Sequence, residues 1–521
     1  MALQSLSTLQ LFQLATVGLI IYEASWIIYC RFFHPLHSIP GPSLASVSRI
    51  WIVYHTATGR MEHTQRALHK RDMVSYMVRI APDEVACSDP QAIKVIYSTK
   101  RDYAKSEFYD IWAAPNEVGY AGHFATRDEK VHSKRRRIVN QVYSMSSILE
   151  SEPEIDDCTR VFIEATRTFA QQKTAVDLGP WLTKYAFDVL GELFYGRMFG
   201  MMRENRDLHD IGRAVDAMLP AFAVGGTLPS YLQQAFLIST YLLSNSLRDA
   251  VTASKMVETV SIQAVEQRIR ELKDKDNQLN RKHDMLRKML EISDGPRGPA
   301  LNFTHKHIHV ESHSSLFAGA DTTSIAMLST LYYLMRDPRV YTKLQQEIDS
   351  TFASGRISDP VSYQEATTQL PYFRACVEEA MRLHPGVGLT GPRIVPRGGV
   401  TLASDVYIPA GYRVGVNAAV VQYDRDVFGP DADQYNPDRW LDRDPVPMER
   451  AMFVFGHGAR TCIGKNIALC EIYKLLPVLL WKFQVRLVEP EKEWTTKNFW
   501  FNKPVGVRVL FEERRGLSSL P

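Results

Sequence analysis

The feature that most constrains this fold is a short glycine-rich segment around one cysteine. Residues 455–464 read FGHGARTCIG, so three glycines crowd around Cys462, and a helical pattern follows from Lys465. Glycine permits tight turns and close approach of the backbone to a flat ligand. Backbone N–H groups at a helix N-terminus stabilise a negative sulfur. The segment therefore predicts a loop that presents a thiolate ligand, and the alternative is an inert buried cysteine in a glycine-rich turn.

The composition of the chain excludes several other classes of protein. The chain has 521 residues, with 61 Lys and Arg against 58 Asp and Glu, a net charge of +3, so a charge-driven nucleic-acid binder is excluded. Its six cysteines are scattered with no CxxC pair, which argues against a disulfide scaffold or a structural zinc site. The length allows about three domains of roughly 150 residues. No shift in composition marks a second domain, however.

The N-terminus predicts a membrane anchor. Residues 9–30 are mostly apolar and long enough for a bilayer, which needs about 20 residues, although Glu23 weakens the pattern. Arg31 follows at once, which places the downstream chain in the cytosol. We expect an anchor at 1–30, a proline-rich linker at 31–44 and one catalytic domain at 45–521. The alternative is a buried or interfacial first helix.

Long helical patterns dominate the rest of the chain. Apolar residues recur at three- and four-residue spacing in four long segments, and alternating segments are few and short. The segments predict a mainly α fold with a small β region, and 275–300 is expected to be a surface connection. The predicted helices are 154–172, 178–195, 247–275 and 305–336, and the predicted strands are 74–80, 400–408, 412–416 and 505–511.

Two further motifs could carry chemistry or structure. Residues 318–323 read AGADTT inside a helical pattern, where small residues clear space and Asp321 beside Thr322 could feed protons to a buried oxygen species. A helix weakened by glycine with two stray polar residues is the alternative. Glu379 and Arg382 are three residues apart and can pair on one helix face, an arrangement that is common and weak by itself.

Taken in order along the chain, these motifs resemble those of the cytochrome P-450 family. The pattern F-x-x-G-x-R-x-C-x-G is similar to the family's cysteine-ligand loop, AGADTT to its oxygen-activation segment, and E-x-x-R to its structural pair, with Arg439 as the downstream partner. The resemblance covers roughly residues 35–515. It implies one large haem domain of the cytochrome P-450 fold, with an N-terminal membrane helix.

The resemblance also implies a role for each matching residue. Cys462 would be the axial thiolate of haem b, and Asp321 and Thr322 would organise protonation. Glu379, Arg382 and Arg439 would fix the scaffold behind the cofactor. Expected to surround the cofactor are Phe455, Gly458, Arg460 and Gly464 of the loop, Arg393 at the propionates, and His132 and Arg136, which lie four residues apart. The neighbouring Lys134, Arg135 and Arg137 are expected on a solvated face, where they could dock an acidic redox partner.

The implied activity is insertion of one oxygen atom from O2 into a lipophilic small molecule, a terpenoid, polyketide or alkaloid. Electrons would come from NADPH through a separate cytochrome reductase, at the endoplasmic reticulum membrane. The chain is similar to fungal microsomal members of the pisatin demethylase-like group. Tyr423 is a departure, since many relatives have His there. Two alternatives stay open: a haem-thiolate isomerase or rearranging enzyme, and a non-catalytic haem-binding membrane protein.

Two other patterns are weighed and set aside. Residues 386–391 read GVGLTG, a literal dinucleotide fingerprint, but a helix ends before them and Pro392 follows, where that site needs a strand before and a helix after. We expect the segment to border the substrate cavity. His305, His309 and His313 are spaced by four like metal ligands, with His307 between them. We expect an exposed histidine-rich face there.

Overall fold

Helices make up most of the described chain and surround one long central helix. The structure is a computed structural model that describes residues 7–71, 76–100, 102–113, 119–274 and 283–514. The helices are α1 Thr8–Phe32, α2 Ser43–Val47, α3 Ile50–Ala57, α4 Met61–Arg71, α5 Pro90–Ile96, α6 Gly122–Ala125, α7 Glu129–Val139, α8 Met145–Leu149, α9 Glu152–Gln172, α10 Leu178–Tyr195, α11 Ile211–Thr227, α12 Ser230–Leu243, α13 Asn245–Lys273, α14 Met285–Asp294, α15 Gly298–Leu301, α16 His305–Arg336, α17 Pro338–Ala353, α18 Tyr363–Gln369, α19 Pro371–Leu383, α20 Ala418–Val421, α21 Arg425–Phe428, α22 Arg439–Asp442, α23 Pro445–Ala451 and α24 Lys465–Lys482.

The strands are short and form small sheets at the edge of the helical body. They are β1 Met77–Ala81, β2 Glu84–Cys87, β3 Val176–Asp177, β4 Arg393–Ile394, β5 Val400–Leu402, β6 Val406–Ile408, β7 Arg413–Val416, β8 Phe483–Leu487, β9 Thr495–Phe499, β10 Phe501–Val505 and β11 Arg508–Glu513. The largest sheet has the order β1-β2-β7-β4, in which β2 and β7 are parallel. The hairpin β9–β10 pairs Lys497 with Lys503 in register.

The central helix α16 has clear local signals at both ends. Thr304 caps its N-terminus in a capping box with His307, and Asp337 ends it immediately before Pro338. The 32 residues between them span about 48 Å at 1.5 Å per residue. Most side chains from Leu316 to Leu334 are buried, which is typical of a helix at the centre of a large domain.

The helix α10 packs along α16 at very short range. A methyl group placed at Gly319 would come within 2.8 Å of the Leu190 side chain, so glycine allows this close approach. Thr183 of α10 donates a hydrogen bond to Ser324 of α16 at 2.9 Å. Leu190 and Leu316 belong to the main hydrophobic core, which therefore includes the interface between these two helices.

The helix α1 is apolar and exposed over nearly its whole length. It is long and apolar enough to cross a membrane, and none of its most apolar window is buried against the protein. Near its end, Trp26 Nε1 donates a hydrogen bond to Val47 O at 2.8 Å, which fixes the base of the helix to α2.

The predicted fold class, a mainly α chain with a small β region, is confirmed. The helices α10 and α16 begin and end at the residues predicted, 178–195 and 305–336. The prediction that 275–300 is a simple surface connection is wrong, because α14 lies there and buries Met285, Leu286 and Met289. The first part of that segment, 275–282, lies outside the described residues.

Candidate active site

The loop at 455–464 is held in a tight conformation by its own backbone. The Cys462 N–H donates to Phe455 O at 2.7 Å, which closes the loop. Gly456 and Gly458 have φ of 67° and 64°, values that side chains rarely adopt. A methyl group at Gly458 would lie 2.0 Å from the Tyr97 carbonyl oxygen, so glycine is required there for space as well. The loop then leads into α24 at Lys465.

Cys462 differs from every other cysteine in the chain. It is exposed, whereas the other five are buried. Protein atoms nevertheless surround it, and burial raises the pKa of its thiol. The backbone N–H groups of Gly464 and Lys465 and the charge of Arg136 act in the opposite direction and favour the thiolate. The accessible surface of Cys462 is therefore the wall of an internal cavity.

Part of α16, like Cys462, has accessible surface inside the protein. Ala318 is exposed and Thr322 half-buried, although most of the following turns of α16 are buried. Thr322 Oγ1 donates to Ala318 O at 2.9 Å, so its hydroxyl is held by the helix backbone. Tyr143 lies near Cys462 and has its hydroxyl 3.1 Å from Ser315 Oγ, which connects the cysteine loop to α16. Small residues on this stretch leave room for a ligand.

Buried cations cluster beside this cavity. Lys105 Nζ lies 4.0 Å from the centre of the Tyr109 ring, and Arg393 donates to the Tyr109 hydroxyl at 2.9 Å. Burial, together with the charges of Arg393 and Arg460, holds the pKa of Lys105 well below its usual value. In the described chain, Glu129 is the only carboxylate in an ion pair with these cations, through Arg460.

The donor set of this cluster fits a bound dianion. Buried cations that outnumber their counter-charges are costly until an anion reaches them. His132, on α7, is also buried, and its Nδ1 has no hydrogen-bond partner among the described residues. Burial and then the charge of Arg460 lower the pKa of His132 to about 2, so it is a neutral hydrogen-bonding group. Together with the thiol of Cys462, these groups suit a flat cofactor that has an iron centre and two carboxylates.

Asp321 lies on a different face of α16 from Thr322. Its carboxylate is buried, and its Oδ2 lies 2.8 Å from Lys503 Nζ of β10. Burial raises the pKa of Asp321, whereas Lys503 lowers it. Successive residues on a helix point about 100° apart, so the ion pair directs the carboxylate away from the Thr322 side.

The predicted Glu–Arg–Arg network is present. Arg382 donates twice to Glu379, at 2.8 Å each, and Arg439 Nε donates to Glu379 Oε1 at 3.0 Å. Trp440 Nε1 donates to Glu379 Oε2 at 2.9 Å. All three charged side chains are buried, on α19 and α22, so the network joins two segments that precede the cysteine loop in sequence.

A cluster of aromatic rings surrounds Trp112. Trp112 is in ring contact with Phe124, Phe222, Phe317 and Trp500, at centroid distances of 5.5 to 6.3 Å. Three of these rings, those of Phe124, Phe222 and Phe317, stay partly accessible inside the protein. Residues 114–118, which follow Trp112 closely in sequence, lie outside the described residues.

Two surface expectations need correction. Arg135 is not freely solvated, because its guanidinium donates to Asn302 O at 2.5 Å and lies over the Tyr120 ring. Lys134 and Arg137 are exposed as expected. The histidines of α16 do not form an exposed face, because His307 and His313 are buried.

The glycine pattern at 386–391 begins beside the turn of α16 that bears Thr322. Gly386 lies against Thr322, with an added methyl group only 3.5 Å from the Thr322 carbonyl oxygen. Strand β4 follows the segment, where a dinucleotide site needs a helix. Tyr423, the departure noted above, donates its hydroxyl proton to Leu383 O at 2.7 Å and so supports the end of α19.

The sequence did not reveal three residues near the site. Lys105 lies just before the short 3₁₀ helix Glu107–Trp112, which contains Tyr109, and this segment has no periodic apolar pattern that signals their burial. Lys503 lies on a strand whose sequence, FNKPV, contains Pro504 and no clear alternation. A lysine in such a segment reads as a solvated side chain, and only the tertiary structure reveals its ion pair.

The fold, the cysteine loop and the cation cluster together suit a class of protein that binds a flat iron cofactor. The family model for cytochrome P450 matches residues 40–511. The chain is 41% identical over 489 residues to the cytochrome P450 monooxygenase gsfF of Penicillium aethiopicum, with 94% of this chain and 95% of that protein covered. It is 31% identical over 506 residues to the pisatin demethylase of Fusarium vanettenii, with 97% and 94% covered.

A third relative, the cytochrome P450 monooxygenase cicH of Emericella nidulans, is 32% identical over 509 residues, with 96% of this chain and 99% of that protein covered. The chain belongs to the cytochrome P450 family. It is an oxidoreductase, and its relatives are fungal monooxygenases that include pisatin demethylase, as the motifs predicted.

Proposed function

We propose that this P450 is a haem-thiolate monooxygenase whose axial ligand is Cys462. The observation that carries the proposal is that Cys462 is the exposed cysteine among six although protein atoms surround it. Its loop leads into α24, which packs against α16, the helix that bears Thr322. When bound, the haem would supply reductive activation of O2, in which a substrate C–H bond, O2, two electrons and two protons yield an alcohol and water.

The cationic cluster is proposed to bind the cofactor's two propionates. Arg393, Arg460, His132 and Arg136 are the expected donors, and the burial of Lys105 beside Arg393 supports adding it to them. Arg136 is near enough to Cys462 to favour the thiolate. Gly458 and Gly464 have no side chains that could block access to the loop, and Phe455 accepts the hydrogen bond that closes it. These residues are proposed to shape the side of the cofactor site on which Cys462 lies.

Asp321 and Thr322 are proposed to deliver protons. Thr322 Oγ1 is hydrogen-bonded to the helix backbone and can turn to donate to a ligand in the cavity. Asp321 is a buried acid one residue away and can take up and release a proton. Glu379, Arg382 and Arg439 are proposed to fix the scaffold, since none of them touches the cavity.

The substrate is proposed to be a lipophilic terpenoid, polyketide or alkaloid of a fungal secondary-metabolite pathway. The aromatic walls support an apolar ligand that offers flat surfaces for ring contacts. Trp112 Nε1 is buried with no acceptor among the described residues, which supports a substrate that carries an oxygen acceptor.

A separate NADPH-cytochrome reductase is proposed as the electron donor. A surface groove of about 1050 Å³ lies between α7 and α14–α15, and its lining includes Lys130, Lys134, Arg137 and Arg297. These cations would attract an acidic partner and speed its encounter, an effect that falls with added salt.

The chain is proposed to be held at the endoplasmic reticulum membrane by an N-terminal anchor, residues 1–30, followed by a linker at 31–44 and a cytosolic catalytic domain at 45–521. Exposed apolar side chains on α12, including Tyr231 and Leu243, support a second contact with lipid. The two regions lie on one side of the protein, because Arg49 beside α2 donates to Thr227 O at the end of α11.

The test is oxygen consumption by the purified holoenzyme with NADPH, a cytochrome P450 reductase and a panel of lipophilic metabolites. We expect substrate-dependent consumption that requires both NADPH and reductase and yields an oxygenated product. Turnover without reductase would identify an isomerase or rearranging enzyme instead. Substrate binding with no turnover under either condition would identify a non-catalytic haem protein.

A further inference from the structure

The short helix α6 holds two of the buried cations through its backbone. The last carbonyl groups of a helix have no partner within the helix and favour nearby cations. His123 O accepts a hydrogen bond from Arg460 Nη1 at 3.3 Å, and Phe124 O accepts one from Lys105 Nζ at 2.5 Å. Consecutive carbonyl groups of one turn therefore orient both cations, and Arg460 has a second partner in Glu129, at 2.5 Å.

The His123 side chain joins the same turn to the central helix α16. Its Nε2 lies 2.9 Å from Glu311 Oε2, and the two side chains are only 9% and 2% exposed. A buried carboxylate that loses its partner is costly, so this pair strongly favours the position in which α6 lies against α16.

Gly122, the first residue of α6, lies in direct contact with α16. Its φ is 82°, and an added methyl group would lie 2.9 Å from Ser314 Oγ and 3.6 Å from Val310 Cγ1. Glycine thus permits both the backbone conformation and the close approach of the turn. The pair between His123 and Glu311 acts on a turn that already packs tightly on α16.

Glu311 lies on the face of α16 that bears Thr322. Residues 311, 315, 318 and 322 follow one another at spacings of four, three and four, which places them along one side of a helix. Ser315 Oγ donates to Glu311 O at 2.9 Å, and Thr322 Oγ1 donates to Ala318 O at the same distance. The pair therefore attaches α6 to the side of α16 on which the cofactor is proposed to bind.

His132, a further expected donor to the cofactor, lies next to this pair. The ring centroids of His123 and His132 are 6.0 Å apart, and the ring planes are perpendicular. The one turn of α6 is thus in contact with Arg460, Lys105 and His132, which come from three separate segments of the chain.

We propose that His123 and Glu311 are positioning residues for the cofactor: their pair fixes α6 against α16, and the fixed turn holds Lys105 and Arg460 where these cations meet the cofactor's carboxylates. The inference rests on the proposed function, because it takes the cation cluster to be the propionate site. Loss of the pair releases the turn, and the two cations then lose the carbonyl groups that orient them.

The experiment measures how fast ferric haem passes from the holoenzyme to an excess of apomyoglobin. His123→Leu and Glu311→Leu should each speed this transfer about tenfold, the factor that one hydrogen bond to a charged group contributes. The double variant should be no faster than the faster single variant, because both changes remove the same pair. His309→Leu is the matched control, since it removes a histidine of α16 that lies 3.6 Å from the half-exposed Glu266.

Resonance Raman spectroscopy of the ferric holoenzyme separates positioning from a general loss of stability. The bending band of the haem carboxylates reports their hydrogen bonds. It should shift in both single variants in the direction seen in Lys105→Met and stay in place in His309→Leu. His123→Gln should restore the wild-type band and transfer rate, because the glutamine amide can donate to Glu311 in place of Nε2. If Glu311→Leu does not fold, the comparison of His123→Leu with His123→Gln decides.

Faster transfer and a shifted band in the variants of the pair, with neither in His309→Leu, are the expected result. Wild-type transfer and an unmoved band in His123→Leu and Glu311→Leu, while Lys105→Met changes both, would overturn the proposal. A lower denaturation midpoint with an unmoved band would also overturn it, since the pair would then act on stability alone. Failure of the proposed function looks different, because Cys462→Ser then keeps the red-shifted carbon monoxide complex whatever these variants do.

Discussion

Glutamine at position 379 should destabilise the catalytic domain strongly, because this carboxylate is the common acceptor of a buried cluster. Oε1 accepts from Arg382, Arg439 and the Asn436 backbone, and Oε2 accepts from Arg382 and Trp440, at 2.8 to 3.1 Å. The Gln amide has the same shape, but its NH2 group must take the place of Oε1 or Oε2. At either position this donor group faces other donors. Arg382 then loses its counter-charge, and Arg439 keeps only Asp431, at 3.0 Å.

Removing one partner of a buried ion pair costs about 3–5 kcal/mol. That is a large part of the roughly 5–15 kcal/mol by which domains are stable. The matched control is Glu378→Gln, one residue earlier, whose ion pair with Arg374 at 2.8 Å involves a half-exposed guanidinium. Loss of an exposed pair of this kind costs about 0–1 kcal/mol.

The assay is chemical denaturation of the purified holoenzyme, followed by circular dichroism and by the absorbance of bound haem. The Glu379→Gln midpoint should fall well below both wild type and Glu378→Gln, and haem should be lost at the same denaturant concentration as helix. If the two variants have the same midpoint, the buried network does not hold the scaffold and the reasoning is refuted.

Three further predictions concern the loop, the cation cluster and the surface groove. Gly458→Ala should prevent formation of the cysteine loop, because the new methyl meets the Tyr97 carbonyl at 2.0 Å, and haem content after purification should fall to near zero; normal haem content would contradict this. Lys105→Met should weaken haem binding about tenfold or more in a titration of apoprotein, since one buried charge contact contributes at least about 1.5 kcal/mol; unchanged affinity would remove Lys105 from the site. Reversing the charges of Lys134 and Arg137 to Glu should slow reductase-dependent reduction at low salt and leave dithionite reduction unchanged; equal loss in both would refute docking at the groove.

The sequence predicted the long elements well because their ends have strong local signals. The capping box at Thr304 marks the start of α16, and Asp337 followed by Pro338 marks its end. Both signals can be found in the sequence. Strands such as β2, only four residues long, had no comparable signal and were missed. The helix α14 was missed because it lies in a polar stretch with glycine and proline, although its buried methionines had the right spacing.

The cysteine loop and the Glu379 pair were predictable because each is a compact motif. Arg439 could be assigned only through the family resemblance, since it is 60 residues from Glu379. Lys105 and Lys503 were beyond sequence reasoning, because a lysine gains a special role only through the groups packed around it. Asp216 is 287 residues from Lys503 in sequence, and Lys105 donates to the Phe124 carbonyl oxygen, 19 residues away, with no periodic apolar pattern between them.

Thiolate ligation by Cys462 is the central claim, and the carbon monoxide spectrum of the reduced protein tests it most directly. Wild type and Cys470→Ser, a change at a buried cysteine eight residues along the chain, should both give the red-shifted complex that a thiolate ligand produces. Cys462→Ser should lose that red shift. A normal red-shifted spectrum in Cys462→Ser would contradict the assignment of the ligand and, with it, the proposed function.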